Sequence, residues 1–137
     1  MIYAISYTIA LLVYFAVDVT WLTSFGAQLY KQTLGDILAP DVRLAPAAVF
    51  YLLYPIGLIF FAVEPALRQD SWTTALIHGA LFGLFAYGTY ELTNFATLRN
   101  WTLGITVIDT AYGAIASGAV AALTYATAPA ISRWFGT

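Results

Sequence analysis

The sequence has no cysteine, one histidine and one methionine, and only 9% of its 137 residues are charged. Without cysteine there can be no disulfide, no thiolate metal site and no cysteine nucleophile. With His78 as the sole imidazole, a histidine-built metal centre lacks ligands. The five Lys and Arg residues are scattered and form no basic patch, and the net charge is −2, so nucleic acid is not an expected partner. No low-complexity tract or linker interrupts residues 1–137, which reads as a single domain.

The chain is rich in apolar residues. Hydrophobic residues make up 61% of it, and the mean hydropathy is +0.80. An ordinary soluble domain is roughly 45–50% apolar and roughly 25% charged. A soluble chain of about 150 residues leaves roughly 30% of its surface in water, so lipid must cover what this one cannot bury. The expected fold class is all-α integral membrane, with four antiparallel transmembrane helices in an up-down-up-down bundle, near residues 2–25, 46–63, 72–94 and 101–127. The lipid bilayer is the first expected partner.

At 1.5 Å per residue, the first segment can cross a hydrocarbon core of about 30 Å. It has no basic residue ahead of it and is too long for a signal-peptide core, so it reads as a retained helix. Asp18 shares a face with Tyr7, Leu11, Tyr14, Trp21 and Phe25. An Asp facing lipid would cost about 2.5–3.5 kcal/mol, so that face should point at protein. In the polar connection that follows, Gln28 to Leu38 reads as a short interfacial helix dipping Leu29, Tyr30, Leu34, Ile37 and Leu38 into the headgroups. The second span starts near Pro46 and stops at Glu64 and Pro65, and Pro55 should kink it by freeing the Tyr51 carbonyl near the Tyr51 and Tyr54 hydroxyls.

In the third span, Gly79 and Gly83 permit close helix contact on a face that continues through Tyr87, Tyr90, Glu91 and Asn94. The fourth carries Asp109 on a face with Thr106, Tyr112, Gly113 and Ser117, and Pro129 should end it. Its Ala114, Gly118 and Ala122 form a second small stripe, open to a further helix or to a second subunit in a homo-oligomer.

Helix rise converts these positions into depth. Measured from the N-terminal side, Asp18 lies about 24 Å up, Glu91 about 28 Å and Asp109 near 18 Å. All three acids fall in one leaflet, Tyr54 lies in the same layer, and Asn94, Arg99 and Trp101 cap it. Three charged acids so close would repel, so either one is protonated or Arg99, a cation or bound water compensates. The group should titrate as a unit. The expected ligand-binding or proton-binding set is therefore Asp18, Glu91 and Asp109 with Asn94, Tyr54, Tyr87, Tyr90, Tyr112, Trp21 and Arg99. The competing structural reading has the acids bonded to tyrosines, threonines and Asn94 only to fix helix register. His78 reads as a satisfied polar core group, and Glu64, Arg68 and Asp70 as a solvated turn.

These residues carry a resemblance. Asp18-Val-Thr-Trp21-Leu22, Ala48-Val-Phe-Tyr51 with Gly57, Pro65-Ala-Leu67, Gly79-Ala-Leu-Phe-Gly83, Ala86-Tyr-Gly-Thr-Tyr-Glu-Leu-Thr-Asn94, Ala96-Thr-Leu98, Trp101 and Asp109 with Tyr112-Gly113 together resemble a family of small bacterial inner-membrane proteins known only as a domain of unknown function. In that family the acid of the Thr-Tyr-acid-Leu-Thr-Asn motif is usually Asp and the aromatic before the last glycine is often Trp, where this chain has Glu91 and Tyr112. The resemblance implies four helices and a bacterial inner membrane, without an established activity.

Three functions fit the residues. The first is binding or transport of a small solute or cation with proton coupling, which for transport requires an oligomer. The second is an enzyme acting on a lipid or other apolar substrate, with Glu91 and Asp109 as acid and base and Asn94, Arg99 or a divalent cation on an oxyanion. The third is an accessory subunit whose acids pair with a partner helix. The polar positions gather on one side, which favours a one-sided pocket. Lys31, Arg43 and Arg99 on that side against Arg68 and Arg133 on the other lean towards both termini outside.

Overall fold

The computed structural model describes residues 1–136, which are helical with connecting turns and contain no strand among the described residues. Five helical rods follow one another: α1 Ile2–Thr23, α2 Phe25–Leu34, α3 Leu44–Gln69, α4 Trp72–Thr97 and α5 Leu103–Trp134. Three of them, α1, α3 and α5, are long and apolar enough to cross a membrane. The expected third span is present as α4, but it is not among those three. Thr73, Thr74, His78 and the glycines dilute its first half, and Tyr90, Glu91, Thr93 and Asn94 its second.

The first span ends at Thr23. At Ser24 the backbone leaves helical geometry (φ −113°, ψ −113°) and the hydroxyl bonds back to the Thr20 carbonyl at 2.5 Å. The expected interfacial helix is shifted towards the N-terminus, and part of its apolar face meets protein. Leu34 is only 2% exposed and packs with Trp101 and Ile105, joined by Leu29 and Tyr30, so α2 folds back over one end of the bundle. Ile37 and Leu38 lie beyond α2 and stay exposed.

The expected stop at Glu64 and Pro65 is overturned, because α3 continues to Gln69. The Glu64 N–H reaches back five residues to the Ile59 carbonyl, making a π-helical turn over Ile59–Val63. Pro65 then falls in the first turn of the following α-helical segment, where a missing N–H costs least. It leaves the Phe61 carbonyl without the usual donor four residues on, and His78 Nδ1 meets that carbonyl at 3.2 Å. His78 is thus satisfied, but it is exposed rather than in the core. Replacing His78 with leucine is expected to lower stability by about 1–2 kcal/mol, read as a lower melting temperature in detergent. Pro65→Ala restores the backbone donor, so the same leucine substitution should cost clearly less in that background. An equal loss in both backgrounds would contradict this account of His78.

Pro129 does not end the last helix. It removes one backbone bond, but Ala128 and Ser132 beside it are buried, which holds the final turns on the bundle through Trp134. The turn between α3 and α4 is only Asp70 and Ser71, with Asp70 left-handed (φ 49°) and its carboxylate accepting from the Tyr125 hydroxyl at 2.9 Å.

Glycines set the closest approach. Gly79 lies on Ser117, Gly118 and Ala121, Gly83 on Gly113 and Ser117, and Gly88 near Thr110, so α4 and α5 run antiparallel along a shared seam. Gly118 is pressed against the Leu76 carbonyl and Ala80 within this seam. Of the two occupants expected for this stripe, a further helix or a second subunit, it is a helix of the same chain, α4, that covers its centre at Gly118.

Candidate functional site

The polar centre forms where α3 and α4 diverge. They converge at Gly57, where even a methyl group would come within 2.7 Å of the Phe82 ring, and the Tyr54 and Phe82 rings lie 5.1 Å apart. Towards its N-terminal end, α3 leans on α1 instead, with Tyr51 against Phe15 and Phe50 against Tyr14. Pro55 and the π-helical turn lie at this divergence, and both are features that redirect a helix axis. The gap is a cavity of about 460 Å³. Phe50 and Tyr54 line one lip and Ala86, Tyr87 and Tyr90 the other. Asp18, Trp21 and Leu22 of α1, Asp109 of α5 and Tyr30 of α2 line the remainder.

Asp18 is 6% exposed and accepts hydrogen bonds on both oxygens, from the Tyr51 hydroxyl and from the Tyr112 hydroxyl at 3.1 Å. Trp21 stacks on Tyr112 with centroids 4.3 Å apart and planes within 7°. Tyr87 lies across Gly113, where only a glycine leaves room for the ring, and its hydroxyl bonds that of Tyr14. Tyr14 in turn stacks on Tyr54, whose hydroxyl meets Ser117 Oγ at 2.8 Å. This aromatic chain joins α1, α3, α4 and α5 behind the cavity.

Glu91 is fully buried beside the cavity. Its carboxyl accepts from Trp101 Nε1 at 2.7 Å and from the Tyr30 hydroxyl at 3.3 Å, and it lies within hydrogen-bonding reach of the Asp109 carboxyl. Tyr30 lies outside the three apolar spans. Burial first, and then the neighbouring Asp109 and Glu91, hold its phenol above the ordinary range, so it serves as a donor.

Of the residues singled out in the sequence, Asp18, Asp109, Trp21, Tyr54, Tyr87 and Tyr90 line the cavity, while Glu91 and Tyr112 bond the groups around it. Asn94 and Arg99 are not among the residues that line the cavity, and Arg99 is exposed and forms no ion pair among the described residues. Tyr14, Tyr30, Tyr51 and Trp101 carry more of the hydrogen bonding than their sequence context suggested. Tyr14 stands one helical turn before Asp18, a usable signal. Tyr30 is outside the spans and offered none.

No Lys, Arg or His lines the cavity. Among the described residues the one ion pair is Arg68 with Glu64, at 2.5 Å, far along the chain on the exposed turn of α3. Two buried acids therefore face an open volume whose other polar groups are hydroxyls and an indole.

No curated protein and no solved structure matches the chain. Residues 3–126, nearly the whole length, match the family described as "Predicted membrane protein (DUF2177)", and the chain belongs to that family.

Proposed function

We propose that this protein binds a small cation-bearing solute in the α1–α3–α4–α5 cavity and exchanges it for a proton on the buried acids. The observation that carries this reading is the pair Asp18 and Asp109, each more than nine-tenths buried and facing a cavity without a basic side chain. An uncompensated buried carboxylate is neutralised by a proton or by a counter-ion. A site that accepts either one couples them.

In this reading α4 spans as well, since 26 residues reach about 39 Å at 1.5 Å per residue, which gives four spans in up-down-up-down order. The membrane is the bacterial inner membrane, and Lys31, Arg43 and Arg99 at the cavity end orient that end inward, with both termini outside. The groove at the other end, lined by Arg68, Asp70 and Tyr125, is a poorer candidate because those acids and bases are already paired.

The test uses purified protein in lipid nanodiscs, with intrinsic tryptophan fluorescence as the reporter and Trp72 and Trp134 replaced by phenylalanine, titrated with Na⁺, K⁺, ammonium and tetramethylammonium at pH 6 and 8. Wild type should saturate with at least one of these and release protons into weakly buffered solution. Asp18→Asn and Asp109→Asn should each weaken binding about tenfold, equivalent to about 1.4 kcal/mol. Saturation without proton release would sink the coupling, and no saturation by any cation would sink the site.

A further inference from the structure

We infer that the ligand is an amphiphilic organic ammonium compound entering sideways from the lipid between α3 and α4; this rests on the cation reading above. The walls identify the head. Trp21, Phe50, Tyr54, Tyr87 and Tyr90 surround the volume with aromatic surface, and Asp18 and Asp109 supply the negative charge. Aromatic faces attract a weakly hydrated ammonium within about 6 Å of a ring centroid. A small metal ion instead requires several oxygen or nitrogen ligands at close range, and among the described residues no three carboxylate or imidazole groups are arranged to supply them. An anionic head would meet two acids and no base, and a neutral apolar molecule would leave those acids without a counter-charge.

The route follows from where the cavity is closed. Leu34, Trp101 and Ile105 pack over the end of the bundle beneath α2, blocking direct approach from water along the helix axes. Below, Gly57 and Phe82 bring α3 and α4 into contact. Between these closures Phe50 and Tyr90 on the two lips are 40% and 54% exposed, and Leu22 of α1 at the rim is 44% exposed, on the face that an embedded bundle presents to lipid. An alkyl chain extending through that gap stays in hydrocarbon while its head reaches the acids. The volume of about 460 Å³ lies in the ordinary range for small-molecule sites, roughly 300–1,000 Å³.

The experiment compares dodecyltrimethylammonium, tetramethylammonium, Na⁺ and 1-dodecanol for binding to the protein in nanodiscs, with empty nanodiscs subtracted for partitioning. Dodecyltrimethylammonium should bind at least tenfold more tightly than tetramethylammonium, with no saturable binding of 1-dodecanol. Phe50→Ala, which removes a wall ring and no hydrogen bond, should weaken it severalfold. Because the chain has no cysteine, Phe50→Cys, or Leu22→Cys should the first fail to fold, provides one labelling site on the rim. A lipid-soluble N-alkylmaleimide should label it and abolish binding, while a membrane-impermeant sulfonated maleimide should not react. Binding of tetramethylammonium or Na⁺ with no gain from the alkyl chain overturns the amphiphile and leaves the cation site standing. No cation binding overturns both, while dodecanol binding as tightly as dodecyltrimethylammonium overturns the ammonium head and leaves the cation site to the tetramethylammonium and Na⁺ arms. Labelling by the impermeant reagent overturns lateral entry alone.

Discussion

Gly83→Leu is expected to abolish the folded protein, giving no monodisperse species on size exclusion in mild detergent. Even a methyl group at Gly83 would fall 2.6 Å from Ser117 Oγ and still closer to the Gly113 carbonyl. A backbone carbonyl inside a helix cannot rotate away as a side-chain tip can, so α4 and α5 would have to separate. Their seam is the most extensive contact between helices in the molecule, and Tyr87 and Asp109 reach the cavity from its two sides. Gly83→Ala is the graded version, with an expected loss of about 1–3 kcal/mol from overpacking. Gly88→Ala is the control, since its methyl would meet only Thr110 Cγ2 at 3.6 Å, an ordinary contact. There alanine's better helix propensity, about 1 kcal/mol over glycine, should leave stability equal or higher. A wild-type melting temperature for Gly83→Leu would show that the seam is not where the helices are held.

The same glycines show what local sequence could reveal. Gly79 and Gly83, four residues apart with Tyr87 four further on, mark a close contact on that face, whereas the helix that meets them is seen only in the fold. The readings of Pro65 and Pro129 as helix ends fail because they treat each proline as a local event. Pro65 and Pro129 are helix breakers only when the freed carbonyl and the following turns have no other support. His78 supports Phe61 in one case, and the buried face of Ala128 and Ser132 supports the last turns in the other. His78 is remote from Pro65 in sequence, and although Ala128 and Ser132 adjoin Pro129, that they are buried is seen only in the fold.

Helix rise fixes height and says little about which azimuth meets which, so Asp18, Glu91 and Asp109 could be set at one level while their donors could not. Tyr51 and Tyr112 reach Asp18 from two different helices. Tyr30 reaches Glu91 only because α2 folds back after a one-residue break at Ser24. Arg99 sat at the correct height as well, yet its long solvated side chain gains more from water than from a buried cluster already supplied with neutral donors.

Glu91→Ala is expected to release α2 and the α4–α5 turn from the bundle without unfolding the helices below. Glu91 is 0% exposed, and its two oxygens hold Tyr30 of α2 and Trp101 of the turn, so one side chain ties both covering segments to α4. Truncation leaves the Trp101 indole N–H without its acceptor, removes one of the two acids beside the Tyr30 phenol and opens a void, a combined loss of about 2–4 kcal/mol. Trp101→Phe removes one donor and should cost about 1–2 kcal/mol. The double variant should lose less than the sum, by about 0.6–1.7 kcal/mol, since each substitution removes the same bond. Glu91→Gln keeps an acceptor for Trp101 and should retain most of the stability. The release itself can be read apart from global melting: with no cysteine in the chain, a Leu34→Cys reporter, 2% exposed in the closed form, should react slowly with a water-soluble thiol reagent. Adding Glu91→Ala should raise that rate by at least tenfold while the helical circular dichroism is unchanged. An unchanged labelling rate would mean that the apolar packing of Leu34, Trp101 and Ile105 alone holds α2 down, and that Glu91 is free to act on the cavity rather than on its cover.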